Sequence, residues 1–317
     1  MRTHRDLALG VGTGRPDVSL VVIAYDMDRE LPRTLASLSR AMQLGMESIT
    51  CEIIVVDNGS PRAVAPSGDP EVRVIRVEDA RRSPAQAINL GLSQASGDLV
   101  GVLIDGARMA SPGLIHHAVL ASRLHDRAVI SSLGFHLGPD VQMRSIRQGY
   151  DQETEDALLS ASGWESDPYR LFLISVFAGS SANGWFMPIA ESNALFLRRP
   201  MWDELGGYEE RFAAPGGGLV NLDTYQRACG LPDSQLVILL GEGTFHQVHG
   251  GVATNALISP AQAFHAEYVS IRGSPFQVPE ARPVYMGRVP DHALPGIAWS
   301  AHRAHEATAA PPARVAP

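Results

Sequence analysis

The chain has almost no cysteine. Only Cys51 and Cys229 occur among 317 residues, far apart in sequence, so no disulfide framework is available and a reducing compartment suits the chain. No run approaches the ~20 apolar residues that a bilayer-spanning helix needs. The start, "MRTHRDLALGVGTGRPD", lacks the apolar core of a secretory signal. Positive charge is in deficit: 26 Lys+Arg against 34 Asp+Glu give a formal net charge of -8. That balance argues against a protein that coats nucleic acid, although a local basic patch can still meet phosphates. No internal repeat is present. A Gly-rich phosphate loop after the first apolar stretch is also missing, because "GVGTGRPD" precedes that stretch and "YDMDRE" follows it. This disfavours a sugar nucleotidyltransferase. What remains, 45% hydrophobic and 19% charged residues, is ordinary for a globular protein of one large domain or two modest ones. Its expected location is the cytoplasm, free or peripheral to the inner face of a membrane.

Apolar stretches alternate with helical patterns through the first 125 residues or so. "VSLVVIA" (18–24) predicts a buried strand, and Leu31, Leu35, Leu38 and Met42 mark one face of a helix after it. "CEIIVVDNGS" (51–60) reads as a strand running into a turn, and "EVRVIRV" (71–77) as a third strand. "SPAQAINLGLSQASG" (83–97) predicts a helix with Pro84 in its first turn and Gly97 at its end. "DLVGVLIDGARM" (98–109) is a fourth strand, and "SPGLIHHAVLASRL" (111–124) the next helix. Such alternation predicts a mostly parallel α/β sheet with helices on both faces, whose ligands sit beyond the carboxyl ends of the strands. Asp57 and Asp105 fall at such ends.

The second half is less regular. Strands are expected at 128–138, 191–199 and 234–241, and helices before Gly206 and over 219–229. Residues 139–190 mix a short helix with aromatic loops, and "EGTFHQVHGG" (242–251) reads as a polar loop. The chain divides into a flexible lead (1–16), a nucleotide-binding half (17–127), an acceptor-binding half (128–273) and an irregular Pro/Ala-rich tail (274–317).

The pieces "VVIAYDMDRELPRTLASL", "EIIVVDNGS", "AQAINLGLSQASGDLVGVLID", "ESNALFLRRPMWDELGGYEERF" and "DTYQRA", in this order, resemble the GT-A glycosyltransferases of family 2 over roughly residues 18 to 250. The resemblance implies a Rossmann-like nucleotide-diphospho-sugar transferase fold. It implies that Ala24 and Tyr25 meet the nucleotide base, that Asp57 holds base or ribose, and that Asn89 faces the nucleotide from its helix. Ile104, Asp105 and Gly106 would line the nucleotide, and Arg82, beside Arg81, is placed to meet the diphosphate. For Asp57 and Asn58 the alternative is a plain turn cap.

The fourth strand of this family usually ends in two acids one residue apart, which grip a divalent cation. Here Asp105 matches the first, Ala107 occupies the second position, and Arg108 follows. Three readings stay open. A cation, Mn2+ or Mg2+, binds through Asp105 plus His246 or His249; or Arg108 replaces it; or catalysis has been lost. Family 2 enzymes that invert the sugar carry a base in "ED-x-D…R". Here Asn221 stands at the base position, and Asp223 matches the second acid, leaving Asp223, then Glu191, then Glu209 as candidates. Residues two apart on a helix face about 200° apart, so Asp223 is no simple substitute for Asn221. The acceptor side is expected to include Trp185, Glu191 and Asn193 within or near the aromatic segment 164–186.

The expected function is transfer of a sugar from a UDP-, GDP- or dTDP-sugar to a hydroxyl of a glycan, glycolipid or small molecule, as an inverting hexosyltransferase. The alternative is an inactive relative that binds a nucleotide sugar or scaffolds a partner. Donor, acceptor and oligomeric state are not encoded legibly.

Overall fold

The structure, a computed structural model, describes residues 14–250 and 260–309. Its centre is β1 (Val18–Ala24), buried at all seven positions. Along it Val21 and Ile23 enter one apolar core, while Val18, Leu20, Val22 and Ala24 enter the other. A strand dressed on both faces this way belongs in the middle of a parallel sheet with helices on both sides. After α1 (Leu31–Leu38) come β2 (Cys51–Asp57) and β3 (Val72–Arg76). Met42 lies beyond the end of α1, which stops at Leu38. Helix α2 (Ala85–Gln94) then returns the chain to β4 (Leu99–Leu103). Gly91 lets α2 press on the sheet, since a Cβ there would stand 2.3 Å from Val21 Cγ1.

The fourth strand ends before Asp105. A short β5 (Arg108–Ala110) follows at once, so Arg108 sits in a strand and not in a loop. Beyond α3 (Leu114–Leu124) run β6 (Ala128–Leu137), α4 (Gln142–Ser145), α5 (Gln152–Ser162) and β7 (Ser175–Phe177). Next come β8 (Ala194–Arg198), α6 (Arg199–Leu205), α7 (Val220–Cys229) and β9 (Gln235–His246). The main path of the sheet is β9-β6-β8-β4-β1-β2-β3, with one more strand beyond β9. Strand β8 is antiparallel to both neighbours, whereas β1, β2, β3 and β4 pair in parallel, as do β6 and β9.

Two expectations are overturned here. Residues 242–246 are strand rather than loop: β9 continues to His246, pairing with β6 as far as His136 and with β5 at Arg108. The continuation needs a kink, supplied by Gly241 at φ +78° and a register shift between Ser131 and Leu133 of β6. The tail is ordered through Ala309. After α8 (Ala261–Arg272) it forms β10 (Val284–Gly287), parallel to β9 and at the sheet edge, and then α9 (Leu294–Ala309). The tail folds because it has a partner: Ser300 of α9 accepts the Trp185 backbone N–H at 3.2 Å, and Gly296 lies against the Trp185 ring. Residues 1–13 of the lead and 310–317 of the tail lie outside the described residues. Among the described residues no helix is long and apolar enough to cross a membrane.

Candidate active site

Above the carboxyl ends of β1, β2 and β4 lies a cavity of about 880 Å³. Tyr25, Arg82, Ile104, Asp105, Glu191, Asn193, His246 and His249 line it, so most of the anticipated site is brought together. Arg108, Asn58, Asp26 and Asn221 also reach it. Tyr25 stands at the mouth, 54% exposed. Ala24 contributes through its backbone, its carbonyl accepting the Asn58 N–H at 2.8 Å. Gly106 is a spacer rather than a wall: its N–H donates to the Ile23 carbonyl at 2.6 Å, and a Cβ would come within 2.9 Å of that same oxygen. The close seam between β1 and the β4–β5 turn therefore admits only glycine.

Four anticipated residues point elsewhere. Asp57 is buried and fully engaged: it accepts from the Ser60 and Val64 backbone N–H groups and pairs with Arg76 at 2.7 Å. It is the turn cap of the alternative reading, while its neighbours Asn58 and Gly59 face the cavity. Burial alone would raise the Asp57 carboxyl, but the hydrogen bonds from Ser60, Val64 and Arg76 outweigh it and hold the group below its ordinary value. A carboxyl depressed on folding stabilises above its unfolded pKa of about 3.9, and that contribution is lost as pH falls through the folded value. Asp57→Asn is thus expected to unfold at lower urea than the parent at pH 7, with the gap narrowing as pH falls below about 3.9. A gap that persists unchanged at pH 3 would remove the charge from the account. Asn89 ties α2 to the chain after α6: it donates to the Tyr208 carbonyl at 2.9 Å and accepts the Tyr208 N–H at 2.8 Å. Trp185 is 1% exposed and packs in an aromatic cluster with Phe135, Phe172 and Phe177, its indole N–H on the Leu239 carbonyl. The aromatic segment is largely core, because its rings have each other and α9 to bury against.

Asp223 is the fourth. Its two oxygens take Arg227 Nε at 2.8 Å and Arg272 Nε at 2.6 Å, pinning α7 to α8 on the side away from the cavity. Glu209 is likewise paired with Arg211 and Arg272, and the Arg211 hydrogen bonds foremost hold it down at about 2. Two residues earlier on α7, Asn221 does face the cavity. Its side-chain N–H donates to Glu191 Oε2 at 2.6 Å and to the Ser192 carbonyl, while Tyr208 O–H donates to its oxygen at 3.3 Å. Glu191 comes from the loop before β8 and has no ion pair among the described residues.

Across the cavity, Asp105 Oδ2 lies 3.0 Å from His246 Nε2 and 3.2 Å from His249 Nε2, and the two imidazole nitrogens are 3.1 Å apart. The β4–β5 turn aims the carboxylate, because Asp105 Oδ1 accepts the Ala107 N–H at 2.8 Å. Gln142, which no sequence signal marks, fixes one imidazole. Its Nε2 donates to the Gln247 carbonyl, so its oxygen must accept from His246 Nδ1 at 2.6 Å. His246 Nε2 then carries a bare lone pair directed at a carboxylate and a second imidazole. One carboxylate oxygen and two imidazole nitrogens gathered like this could hold a cation between them. The spacing suits one, since bonds of about 2.1 Å at right angles separate ligand atoms by about 3.0 Å. Burial, and then Arg108, hold the His246 imidazole down at about 4, so it is a neutral ligand at pH 7. Two imidazoles and a carboxylate favour manganese over magnesium. Glu242, earlier on β9, is buried with Ser111, Gly113 and Tyr169.

Residues 19–153 match the family model of glycosyl transferase family 2. No curated protein sequence matches. Among solved structures, GalNAc-T7 with UDP, GalNAc and Mn2+ is similar at a TM-score of 0.51 and 15% identity, over 82% of this chain and 48% of that one. S. aureus TarS is similar at a TM-score of 0.44 and 14% identity, over 80% of this chain and 39% of that one. S. aureus TarS 1-349 in complex with UDP-GlcNAc is similar at 0.48 and 13% identity, over 80% and 66%. The chain thus spans less than two thirds of each of these proteins. The likeness to GalNAc-T7 shows the fold, and together the two comparisons give a GT-A fold of which residues 19–153 match glycosyl transferase family 2.

Proposed function

We propose that this protein transfers a sugar from a nucleotide-diphosphate sugar to an acceptor hydroxyl, with inversion at the anomeric carbon and Glu191 as general base. The observation that carries the reading is the pairing, in one cavity, of a cation-binding triad with a carboxylate not neutralised by arginine. Asn221 sits where the family places its base and cannot accept a proton. It instead holds Glu191, so an acid arrives from the β8 loop at the place the helix has vacated. Glu191 takes the proton of the acceptor hydroxyl as its oxygen attacks, and the bonding pair of the sugar–oxygen bond leaves with the diphosphate. Asp105, His246 and His249 would hold a divalent cation, which would supply positive charge for the leaving diphosphate. Tyr25 offers the base a ring at the mouth, and Asn193, buried beside Glu191 in the lining, a hydrogen-bonding group for the acceptor. Ala107 and Asn221 favour the second reading, a relative that binds without turnover. The Glu191 carboxylate, hydrogen-bonded to Asn221 but without an ion pair among the described residues, favours the first.

Because GalNAc-T7 was solved with UDP and Mn2+, UDP is the first nucleotide to titrate here, followed by GDP and dTDP. Calorimetry is expected to show at least tenfold tighter nucleotide binding with manganese than with excess EDTA, a gain that Asp105→Ala removes. Equal affinity in both buffers would take the cation out of the reading. Turnover of the donor sugar with an acceptor panel then separates enzyme from binder.

A further inference from the structure

We propose that Arg108 is a second, permanent cation for the donor's diphosphate, anchoring nucleoside diphosphates even when no metal is bound. The inference rests on the nucleotide-sugar reading above. Strand β5 delivers the side chain: Met109 and Ala110 are buried beside it, and Arg108 lies in register opposite His246 of β9. The guanidinium lines the cavity. Its Nε and Nη1 are shielded from water, yet neither has a hydrogen-bond partner among the described residues. Asp105 and Glu191 are close enough to act on it electrostatically, but neither forms an ion pair with it. A buried guanidinium with open donors is costly, and a cavity that keeps one is built for an anion supplied from outside.

The anion's chemistry follows from the donors. A planar guanidinium matches two oxygens of a phosphate. The sequence contains no lysine, so every fixed positive charge in the cavity is an arginine. Arg81 and Arg82 stand at the rim, and Arg81 is paired with Glu210, which leaves Arg108 beside the cation triad. A second acid at this end of the strand would strengthen metal binding alone. A guanidinium in its neighbourhood opposes the metal and attracts the phosphate. The site therefore divides the neutralisation of the diphosphate between the cation and Arg108.

The test uses the full chain and Arg108→Met, which keeps the length of the side chain without its charge. The nucleoside diphosphate that binds best with manganese is titrated in excess EDTA, next to its uncharged nucleoside. The parent is expected to bind the diphosphate at least tenfold tighter than the nucleoside, and Arg108→Met to abolish that difference. Manganese alone, followed by its electron paramagnetic resonance, is expected to bind Arg108→Met as tightly as the parent or more so. A parent that does not distinguish diphosphate from nucleoside in EDTA, or a variant that distinguishes them as well as the parent does, overturns the inference and leaves the glycosyltransferase reading standing. Equal loss of manganese and nucleotide with a lowered Tm assigns Arg108 a structural role and also overturns it. If no diphosphate binds the parent in either buffer, both readings fall.

Discussion

Glu191→Gln is expected to lower kcat by about 10²–10⁴-fold, the usual contribution of a general base, while nucleotide affinity and Tm stay near the parent values. The amide keeps the size of the side chain and can still meet Asn221, once one of the two amides turns. The substitution therefore removes the proton acceptor and little else. Measured kcat and KM separate this from a binding defect, since a base contributes to the transition state and not to donor affinity. A Glu191→Gln protein that keeps full turnover would move the base to another residue or leave the protein a binder.

Asp223→Ala, in contrast, is expected to cost about 3 kcal/mol of folding stability, the low end for breaking a buried ion pair. The low end applies because Arg227 and Arg272 each keep 25% of their side chains in water, although Asp223 is 1% exposed. Losing the carboxylate leaves two guanidiniums facing each other between α7 and α8. Urea denaturation is the measurement, with kcat of the folded protein expected within a few-fold of the parent. A fall in kcat as deep as that of Glu191→Gln, with the denaturation midpoint unmoved, would return Asp223 to the chemistry. These two expected outcomes would together reverse the order in which the sequence ranks its candidate bases.

That reversal shows what a sequence carries and what it does not. The strands β1, β2, β3 and β4 are plain in it, because each is a continuous or alternating apolar run that only burial in a sheet explains. Asp105, His246 and His249 are also legible, as acid and imidazoles near strand ends. Asp57, Asn89 and Asp223 match their family motif in identity but spend their polar atoms on Arg76, Tyr208 and Arg272, partners that are remote in sequence. The second half of β9 was hidden for a similar reason. Glu242, Thr244 and His246 look like a polar loop, yet all three are buried, two of them on partners from Ser111, Tyr169 and Asp105. Polar strands of this kind become recognisable only when the groups that satisfy them are in place. Gln142 and Asn221 have no signal of their own, since each matters through the single neighbour it orients.

The long span between Asp105 and His246 also sets an order of assembly. They are 141 residues apart in the chain. A ribosome adding about 5–20 residues per second needs roughly 7–28 s to travel from one to the other. Within that interval, from residue 153 onward, the nascent chain holds all the residues that match family 2, 19–153, but neither histidine. Strand β5, too, waits for β9 as its partner. Closing so long a loop is an entropic cost met at the end of synthesis, when β9 pairs with β6 and β5 together. A half-made copy therefore lacks both imidazoles of the triad, which arrive in one late step.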